Sequence, residues 1–413
     1  MASSTSSASR PEIAAPAGNL EKLRIAVRYG ADAVYFGGEQ FNLRIRTGNF
    51  PEEDLRRGVD FCRQQGVRTV FLLNSFLHEK DLTPAAEYID QIAGFSFDAV
   101  MISDPGMLML LKEAGIRGEI HLSTQMSTLN HRAVRFWQDQ GIRRIVLGRE
   151  ATLEEIREIR RHTDAEIEVF VHGALCISYS GRCLLSRFLS GRDANQGSCS
   201  HPCRWKFSLM EEKRPGHLMD IEEYRAGTEI LSSKDLCLLR LIPEYAAAGV
   251  DAFKIEGRMK SLYYTANVTR IYRHALECSG NPELFRKFLP YWQDELDLVS
   301  HRPYTEDLFN EFDQMGFTEI TYIKKVLFLG YREDGEAIGD RVPIRVFNPI
   351  LRGETLEAIF PIRDHQILDG HFTVMEILDG DESVEMARPG RSCLITFDRP
   401  MGKDAILRRR LPS

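Results

Sequence analysis

The feature that most constrains the fold is a regular alternation of short apolar runs and amphipathic stretches, from residue 12 to about residue 280. The first apolar run, at 12–18, is followed by Asn19, which suits a helix N-cap, and by apolar residues at helical spacing up to Gly30. Seven more runs, each followed by amphipathic or insertion sequence, occur at 33–38, 69–74, 98–104, 119–124, 144–150, 166–173 and 251–257. Eight such units with near-continuous apolar strands predict an α/β fold, a closed (β/α)8 TIM-like barrel.

Interruptions of this alternation predict the remaining organisation. Residues 1–10 are Ser-rich without an apolar core, which predicts a disordered N-terminal tail and not a signal peptide. Residues 11–280 would form the barrel, with an insertion at about 174–235 after the seventh strand. Residues 281–318 predict a helical connector. At 319–410, short β-like runs separated by Gly, Asp and Asn predict a small antiparallel β-domain, either a barrel or a sandwich.

Composition excludes some classes of protein. The 413 residues are 43% hydrophobic and 27% charged, as in ordinary globular proteins, and no apolar run is long enough to span a membrane. The net charge of −7 argues weakly against a protein whose surface is basic overall and binds nucleic acid, but it is compatible with a local basic groove. We therefore expect a cytoplasmic protein with reduced thiols and no membrane partner.

Half of the eight cysteines fall in the insertion, at Cys176, Cys183, Cys199 and Cys203, separated by six, fifteen and three residues. Nearby glycines and the polar run SGRDANQGS suit a loop that folds back and brings thiolates together, as a soft-metal site requires. The CxxC pairs of structural zinc sites are missing, whereas four thiolates at varied spacing are typical of an iron–sulfur cluster such as 4Fe-4S. Zinc, a disulfide pair and four unrelated buried cysteines are the alternatives, and His201 is a substitute ligand.

Polar residues at the carboxyl ends of the predicted strands are candidates for chemistry, because barrel enzymes act at that end. Lys254, Glu256 and Arg258 alternate in sequence, so they share one face of the eighth strand. Lys254 and Glu256 are candidate acid–base catalysts, and Arg258 is a candidate clamp for a carboxylate or phosphate. A structural salt bridge at the barrel rim is the alternative for this group.

Other strands contribute further candidates. Arg149 is a second candidate anion clamp, and Asn74 and Gln125 are candidate substrate-binding residues. Glu168 is a candidate base, for example beside a zinc-bound water, and His172 is a candidate proton donor, metal ligand or hydrogen-bond donor to cluster sulfurs. For any one of these residues, a cap or a structural hydrogen bond is the more common role.

The cysteine region also resembles a known family. The pattern formed by Glu168, Phe170, GALC at 173–176, Gly181, Cys183 and LS at 185–186 resembles the signature of the collagenase-like peptidases, the thirty-second family of peptidases of unknown mechanism. The resemblance extends upstream over 11–38 and downstream over 251–261. Members of that family include iron–sulfur proteins of tRNA 5-hydroxyuridine hydroxylation, and others that assist oxygen-independent quinone hydroxylation.

The resemblance and the cysteines together predict an iron–sulfur enzyme that hydroxylates a pyrimidine in RNA, with a tRNA wobble uridine as the expected target. The hydroxylating relatives use prephenate, a dicarboxylate that two arginines at the mouth would suit as co-substrate. A collagenase-like peptidase is the runner-up, although HExxH and GxSxG motifs are missing from the sequence. An iron–sulfur subunit in quinone hydroxylation is the third alternative. A homo-oligomer and a separate electron donor are compatible with the sequence, which identifies neither.

Overall fold

The N-terminal part of the chain forms a barrel of parallel strands. The computed structural model describes residues 10–45, 48–176, 178, 182–202, 205, 234–306, 322–336 and 339–412. The strands of this part are β1 (Glu12–Pro16), β2 (Ala33–Phe36), β3 (Arg68–Leu73), β4 (Ala99–Ile102), β5 (Glu119–Leu122), β6 (Arg144–Val146), β7 (Glu166–Ala174), β8 (Asp235–Cys237) and β9 (Ala252–Ile255). All of them except β8 belong to the barrel wall, and most of their residues are buried, as expected for strands covered on both faces.

Strand pairing closes this barrel. Neighbours pair in parallel from β1 to β7, and β9 pairs in parallel with β7 on one side and β1 on the other. The register aligns Ala252 with Glu168 across one contact and with Glu12 across the other. The predicted (β/α)8 barrel is therefore confirmed. Because all carboxyl ends of the strands open on the same side, the loops that follow them converge on one mouth.

Helices alternate with the strands and then continue into the connector. They are α1 (Leu20–Arg28), α2 (Glu52–Gln65), α3 (Leu82–Ile92), α4 (Pro105–Glu113), α5 (His131–Asp139), α6 (Leu153–Arg161), α7 (Leu185–Ser190), α8 (Ile242–Ala247), α9 (Leu262–Cys278) and α10 (Pro282–Asp297). Local sequence fixes several starts: the Asn19 side chain accepts a hydrogen bond from the Lys22 amide at 2.9 Å, and Thr152 and Glu155 form a capping box. Within the described ranges, no helix combines the length and apolarity needed to cross a bilayer.

The segment after β7 differs from the other units. β8 pairs antiparallel with the end of β7, so Leu236 lies opposite Gly173. Gly173 has a φ of +108°, and a Cβ there would lie 2.5 Å from the Glu256 carbonyl oxygen, so the position requires glycine. The sequence does not predict β8 or α8, because elements of three and six residues are too short to show a clear period.

The C-terminal part is an antiparallel β-structure, as predicted. After β10 (Tyr304–Thr305), its strands are β11 (Val326–Arg332), β12 (Arg341–Val346), β13 (Ile350–Leu351), β14 (Thr355–Ile359), β15 (Gly370–Asp379), β16 (Glu382–Ser383), β17 (Met386–Ala387), β18 (Ser392–Phe397) and β19 (Ile406–Arg410). β14 pairs with both β15 and β19, so six strands close on themselves in the order β14-β19-β11-β12-β18-β15. This small barrel encloses its own apolar core, which includes Leu329, Ile344, Val374, Ile395 and Leu407.

The two parts of the chain meet at α9 and α10. Arg270 of α9 donates to Glu295 of α10 and to Asp369 of the β-domain, both at 2.8 Å. Arg408 of β19 also binds Glu295, at 2.6 and 2.7 Å, and donates to the Tyr263 hydroxyl at 2.8 Å. We call Arg270, Glu295, Asp369 and Arg408 the interface network. It fixes the β-domain beside the barrel and close to its mouth.

Candidate active site at the barrel mouth

A cavity of about 130 Å³ opens at the carboxyl ends of the barrel strands. Nine of the twelve predicted site residues line it: Asn74, Gln125, Arg149, Cys176, Cys183, Cys199, Lys254, Glu256 and Arg258. They follow or end five different strands, and parallel pairing brings them together. Glu168 and His172 are not part of the cavity wall, and Cys203 lies outside the described residues.

The cysteine-bearing loop is held over the mouth by neighbouring βα loops. The Phe76 amide donates to the Asn195 carbonyl at 3.2 Å, and Arg182 Nε donates to the Gln125 carbonyl at 2.7 Å. Gly197 packs so closely that a Cβ there would lie 2.4 Å from the Asn42 carbonyl oxygen. With a φ of +79°, this position also favours glycine on backbone grounds. These contacts place the thiols on the cavity wall.

Cys176, Cys183 and Cys199 are partly exposed at this wall. The His201 amide donates to Cys199 Sγ at 3.4 Å, a contact that would stabilise negative charge on this sulfur. In the described part of this loop the candidate metal donors are thiols, the ligand type that zinc and iron–sulfur clusters both accept.

Lys254 and Glu168 form a buried ion pair beneath the cavity. Lys254 Nζ lies 2.6 Å from Glu168 Oε1, and Arg144 Nη1 lies 3.5 Å from Glu168 Oε2. Burial alone would raise the pKa of Glu168, but Lys254 and Arg144 outweigh it and hold the pKa below its ordinary value. Both carboxylate oxygens of Glu168 thus face cations. Glu168 is therefore better suited to be a counter-ion that positions Lys254 than to act as a free base.

The amine of Lys254 faces the cavity between aromatic and sulfur groups. It lies 4.2 Å from the centre of the Tyr35 ring and 3.7 Å from Met101 Sδ. The Tyr35 hydroxyl donates to the Ile255 carbonyl at 2.6 Å, and burial raises the pKa of Tyr35 well above its ordinary value. Tyr35 is therefore a neutral wall of the site that orients the lysine through a cation–π contact.

Glu256 is held in the cavity by two long ion pairs. Its carboxylate lies 3.6 Å from Arg44 Nη2 and 3.8 Å from Arg149 Nη2, and its side chain is 20% exposed. The Arg149 guanidinium also stacks 4.0 Å from the centre of the Phe170 ring. Both ion pairs are longer than a hydrogen bond. The carboxylate and the two guanidinium groups therefore keep hydrogen-bonding capacity for a ligand.

Arg258 makes several hydrogen bonds within the protein, which its predicted role as an anion clamp does not include. Its terminal nitrogens donate to Asn42 at 3.1 Å, to the Gly48 carbonyl at 3.2 Å and to Asn49 at 3.0 Å. Burial, and secondarily Arg44, lowers the pKa of Arg258 to about 10, so it stays protonated at neutral pH. Arg258 contributes positive charge to the cavity while it holds the loop after β2.

Asn74 and Gln125 belong to one hydrogen-bonded rim. The Asn74 carboxamide oxygen accepts from the Leu43 amide at 3.3 Å, and its nitrogen lies 3.5 Å from the Ser123 hydroxyl. That hydroxyl in turn donates to the Gln125 carboxamide. Both predicted substrate-binding residues therefore line the cavity with their carboxamide orientation set by protein partners.

His172 faces away from the cavity. Its Nδ1 lies 3.3 Å from the Tyr272 hydroxyl, and its ring packs 5.3–5.9 Å from Tyr264, Tyr272 and Tyr304. Burial lowers the pKa of His172 to about 3, so the imidazole is neutral. These contacts describe a structural histidine between β7 and α9. The structure does not bring it to the thiols or to Lys254.

A second histidine–cysteine group lies elsewhere, at His274, Cys278 and His365, whose ligand atoms lie within 4.8 Å of one another. Trp292 Nε1 donates to His274 Nδ1 at 3.0 Å, so Nδ1 carries no proton. The proton of neutral His274 then lies on Nε2, which is 2.9 Å from His365 Nδ1. That nitrogen is a donor and not a metal ligand. The group is best described as a hydrogen-bonded relay between α9 and the β-domain.

Arg44 and Tyr35 are cavity residues that the sequence does not predict. Arg44 lies in the loop after β2, several residues beyond the strand end, and Tyr35 lies within β2. An aromatic residue inside an apolar strand carries no signal that distinguishes a cavity wall from core. For Arg44, the signal is only its position in a loop on the mouth side of the barrel.

These features define a class: a TIM-like barrel whose mouth carries thiols and an excess of cations, with a small antiparallel barrel beside it. The family model described as Peptidase family U32 matches residues 18–316. The chain therefore belongs to peptidase family U32. This assignment confirms the resemblance carried by the cysteine-region pattern.

Relatives in this family carry different functional names. The chain is 38% identical over 364 residues to a Bacillus subtilis protein named tRNA hydroxylation protein P1, covering 85% of this chain and 84% of the relative. It is 33% identical to an Escherichia coli protein named 23S rRNA 5-hydroxycytidine C2501 synthase, covering 86% of this chain and 53% of the relative. It is 34% identical to a Porphyromonas gingivalis protein named collagenase, covering 72% and 73%.

Proposed function

We propose that this chain is an iron–sulfur enzyme that hydroxylates a pyrimidine base in RNA, with the wobble uridine of tRNA as its target. Two relatives named for RNA hydroxylation support the reaction class. The match covers 84% of the relative named for tRNA and only 53% of the one named for ribosomal RNA. A relationship over nearly the whole length favours tRNA as the substrate.

The observation that carries the proposal is the meeting of three cysteines and several cations on one cavity wall. Cys176, Cys183 and Cys199 would hold the cluster, with Cys203 as the proposed fourth ligand, and the spacing of the four cysteines in the sequence favours an iron–sulfur cluster over zinc. When bound, a 4Fe-4S cluster would supply electron transfer at the mouth. The sequence alternative of zinc would instead supply Lewis-acid chemistry.

The charges of the cavity suit an anionic co-substrate. Four cationic side chains line it, Arg44, Arg149, Lys254 and Arg258, against one carboxylate in the wall, Glu256. A small dicarboxylate such as prephenate would pair with Arg149 and Lys254, which are oriented by Phe170 and Glu168. Glu256, one-fifth exposed between two arginines, would hold or accept a proton beside the pyrimidine.

The test is nucleoside mass spectrometry of tRNA and ribosomal RNA from a strain that lacks the gene. We expect the hydroxylated uridine to disappear from tRNA and to return with the wild-type gene but not with Cys176→Ala or Glu256→Gln. If a hydroxylated base disappears from ribosomal RNA alone, the target is ribosomal RNA and not tRNA. Unchanged hydroxylation in both RNAs would overturn the proposal, and gelatin cleavage by zinc-loaded protein would then establish the peptidase alternative.

A further inference from the structure

A larger groove adjoins the cavity. It has a volume of about 590 Å³ and lies between the barrel mouth and the small β-domain. The groove and the cavity share four lining residues: Arg44, Ala174, His201 and Glu256. A polymer lying in the groove could therefore reach the cavity with one of its units.

The described wall of the groove is basic although the chain carries a net charge of −7. Arg44, Lys260 and Lys324 line it against one acidic residue, Glu256, which lies 3.6 Å from Arg44. Lys260 donates to the Ser300 carbonyl at 2.9 Å and lies 3.8 Å from Asp235, which also pairs with Arg302 at 2.7 Å. Lys324 is exposed in the wall of the groove. The local charge thus favours a polyanion.

Two aromatic side chains of the C-terminal part of the chain, Tyr322 and Phe328, line the groove. Phe328 lines the groove, and its ring centre lies 5.0 Å from that of Phe347, which is 37% exposed. Tyr331 lies 6.1 Å from Phe347, and both lie beside the groove wall. Tyr322, which is 43% exposed, belongs to the wall itself, with Lys260 Nζ 4.5 Å from its ring centre. Partly exposed rings beside cations are the arrangement on which unpaired bases stack.

We propose that this groove binds the single-stranded RNA nucleotides that flank the target base. The inference rests on the proposed function and deepens it, because it assigns the strand on either side of the reacting uridine to the seam between barrel and β-domain. Bases in loops of folded RNA are unpaired and can stack on aromatic side chains while their phosphates meet lysines. A base displaced from that strand would enter the adjoining cavity.

The experiment measures binding of tRNA and of a twelve-nucleotide single-stranded RNA to the cluster-loaded protein over a series of salt concentrations. Tyr322→Ala, which removes a 43% exposed ring from the groove wall, should weaken binding roughly tenfold through the loss of a stacking surface. Lys324→Ala should lower the slope of log Kd against log salt by about 0.7, as expected for one lost contact with a single-strand phosphate. Matched controls are Phe136→Ala and Lys112→Ala, which change an exposed aromatic on α5 and an exposed lysine on α4.

The outcomes separate this inference from the proposed function. Both groove variants should raise the KM for tRNA without lowering kcat, whereas the controls should match the wild type. If the wild type hydroxylates tRNA and the groove variants bind and react like the controls, the inference is overturned and the proposed function stands. If the wild type binds neither RNA, both are overturned. Unfolding curves of all four variants verify that each remains folded.

Discussion

Two clusters of charged residues, one between the barrel and the β-domain and one at the barrel mouth, are built differently. In the interface network, Arg270, Glu295, Asp369 and Arg408 are joined at 2.6–2.9 Å, and Arg270 and Glu295 are almost fully buried. At the mouth, Glu256 approaches Arg44 and Arg149 only to 3.6 and 3.8 Å and is one-fifth exposed.

The difference shows which charges serve the fold. A buried cation or carboxylate requires nearly all of its hydrogen bonds from the protein, and the interface network supplies them. In the mouth cluster, some hydrogen-bonding groups face the cavity without a partner at hydrogen-bond distance among the described residues. Such groups lower the stability of the protein unless a ligand binds to them. Similar residue types therefore have a structural role at the interface and a proposed catalytic role at the mouth.

The largest effect is expected from Glu295→Gln. This change removes the negative charge that balances the buried guanidinium groups of Arg270 and Arg408. The free energy of unfolding should therefore fall by about 3–5 kcal/mol. Chemical denaturation measures it, and Glu336→Gln, at an exposed position, should change stability by less than about 0.5 kcal/mol. A loss below about 1 kcal/mol would show that the interface network is not the stabilising element described here.

Glu256→Gln should have the opposite profile. Its ion pairs are long and partly exposed, so stability should change by less than about 1 kcal/mol, whereas hydroxylation of tRNA should fall about a hundredfold through loss of a proton acceptor. Denaturation and single-turnover assays on the same preparation measure both quantities. Full activity with reduced stability would assign Glu256 to the fold.

A pH titration of stability tests the structural role of His172. Its pKa is about 3 in the folded protein against an ordinary value of 6.5, so the unfolded chain binds the extra proton between these values. The stabilisation is present above pH 6.5 and is lost as the pH falls toward 3, by up to about 1.4 kcal/mol per pH unit. His172→Gln should flatten this part of the stability curve relative to the wild type. Equal slopes in both proteins would contradict a buried neutral imidazole.

The smallest effect separates two arginines that the sequence treats alike. Arg149→Lys should raise the apparent KM for prephenate about fivefold, because the ammonium cannot make the bidentate contact of a guanidinium. Arg258→Lys should leave this KM unchanged and lower stability by about 1–2 kcal/mol, since Arg258 bridges Asn42, Gly48 and Asn49. The reverse pattern would show that Arg258 is the clamp.

The sequence predicts the barrel because each unit repeats an apolar run followed by an amphipathic stretch. Parallel pairing of the strands then places Asn74, Gln125, Arg149 and Lys254 around one cavity. It does not predict the direction of His172. Strict alternation would put His172 on the inward face with Glu168 and Phe170. A register shift between Phe170 and His172 turns the imidazole toward α9 instead.

Other features of the site that the sequence does not predict also depend on contacts made only in the folded chain. Arg44 reaches the cavity through a loop whose path depends on Asn42, Asn49 and Arg258, so no periodic pattern encodes it. The hydrogen-bond commitments of Arg258 and the ion pair of Glu168 with Lys254 depend on contacts across the barrel. Cluster identity depends on sulfur spacing in three dimensions, including Cys203, which lies outside the described residues.

The most direct test of the central claim is anaerobic purification followed by iron and sulfide analysis and a visible absorption spectrum. The parallel samples are Cys176→Ala, Cys199→Ala and, as a thiol control outside the cavity, Cys237→Ser. We predict a brown wild type with iron matched by sulfide, a bleached spectrum for the first two variants and an unchanged one for the control. A colourless wild type that holds stoichiometric zinc would contradict the iron–sulfur assignment and restore hydrolysis as the leading chemistry.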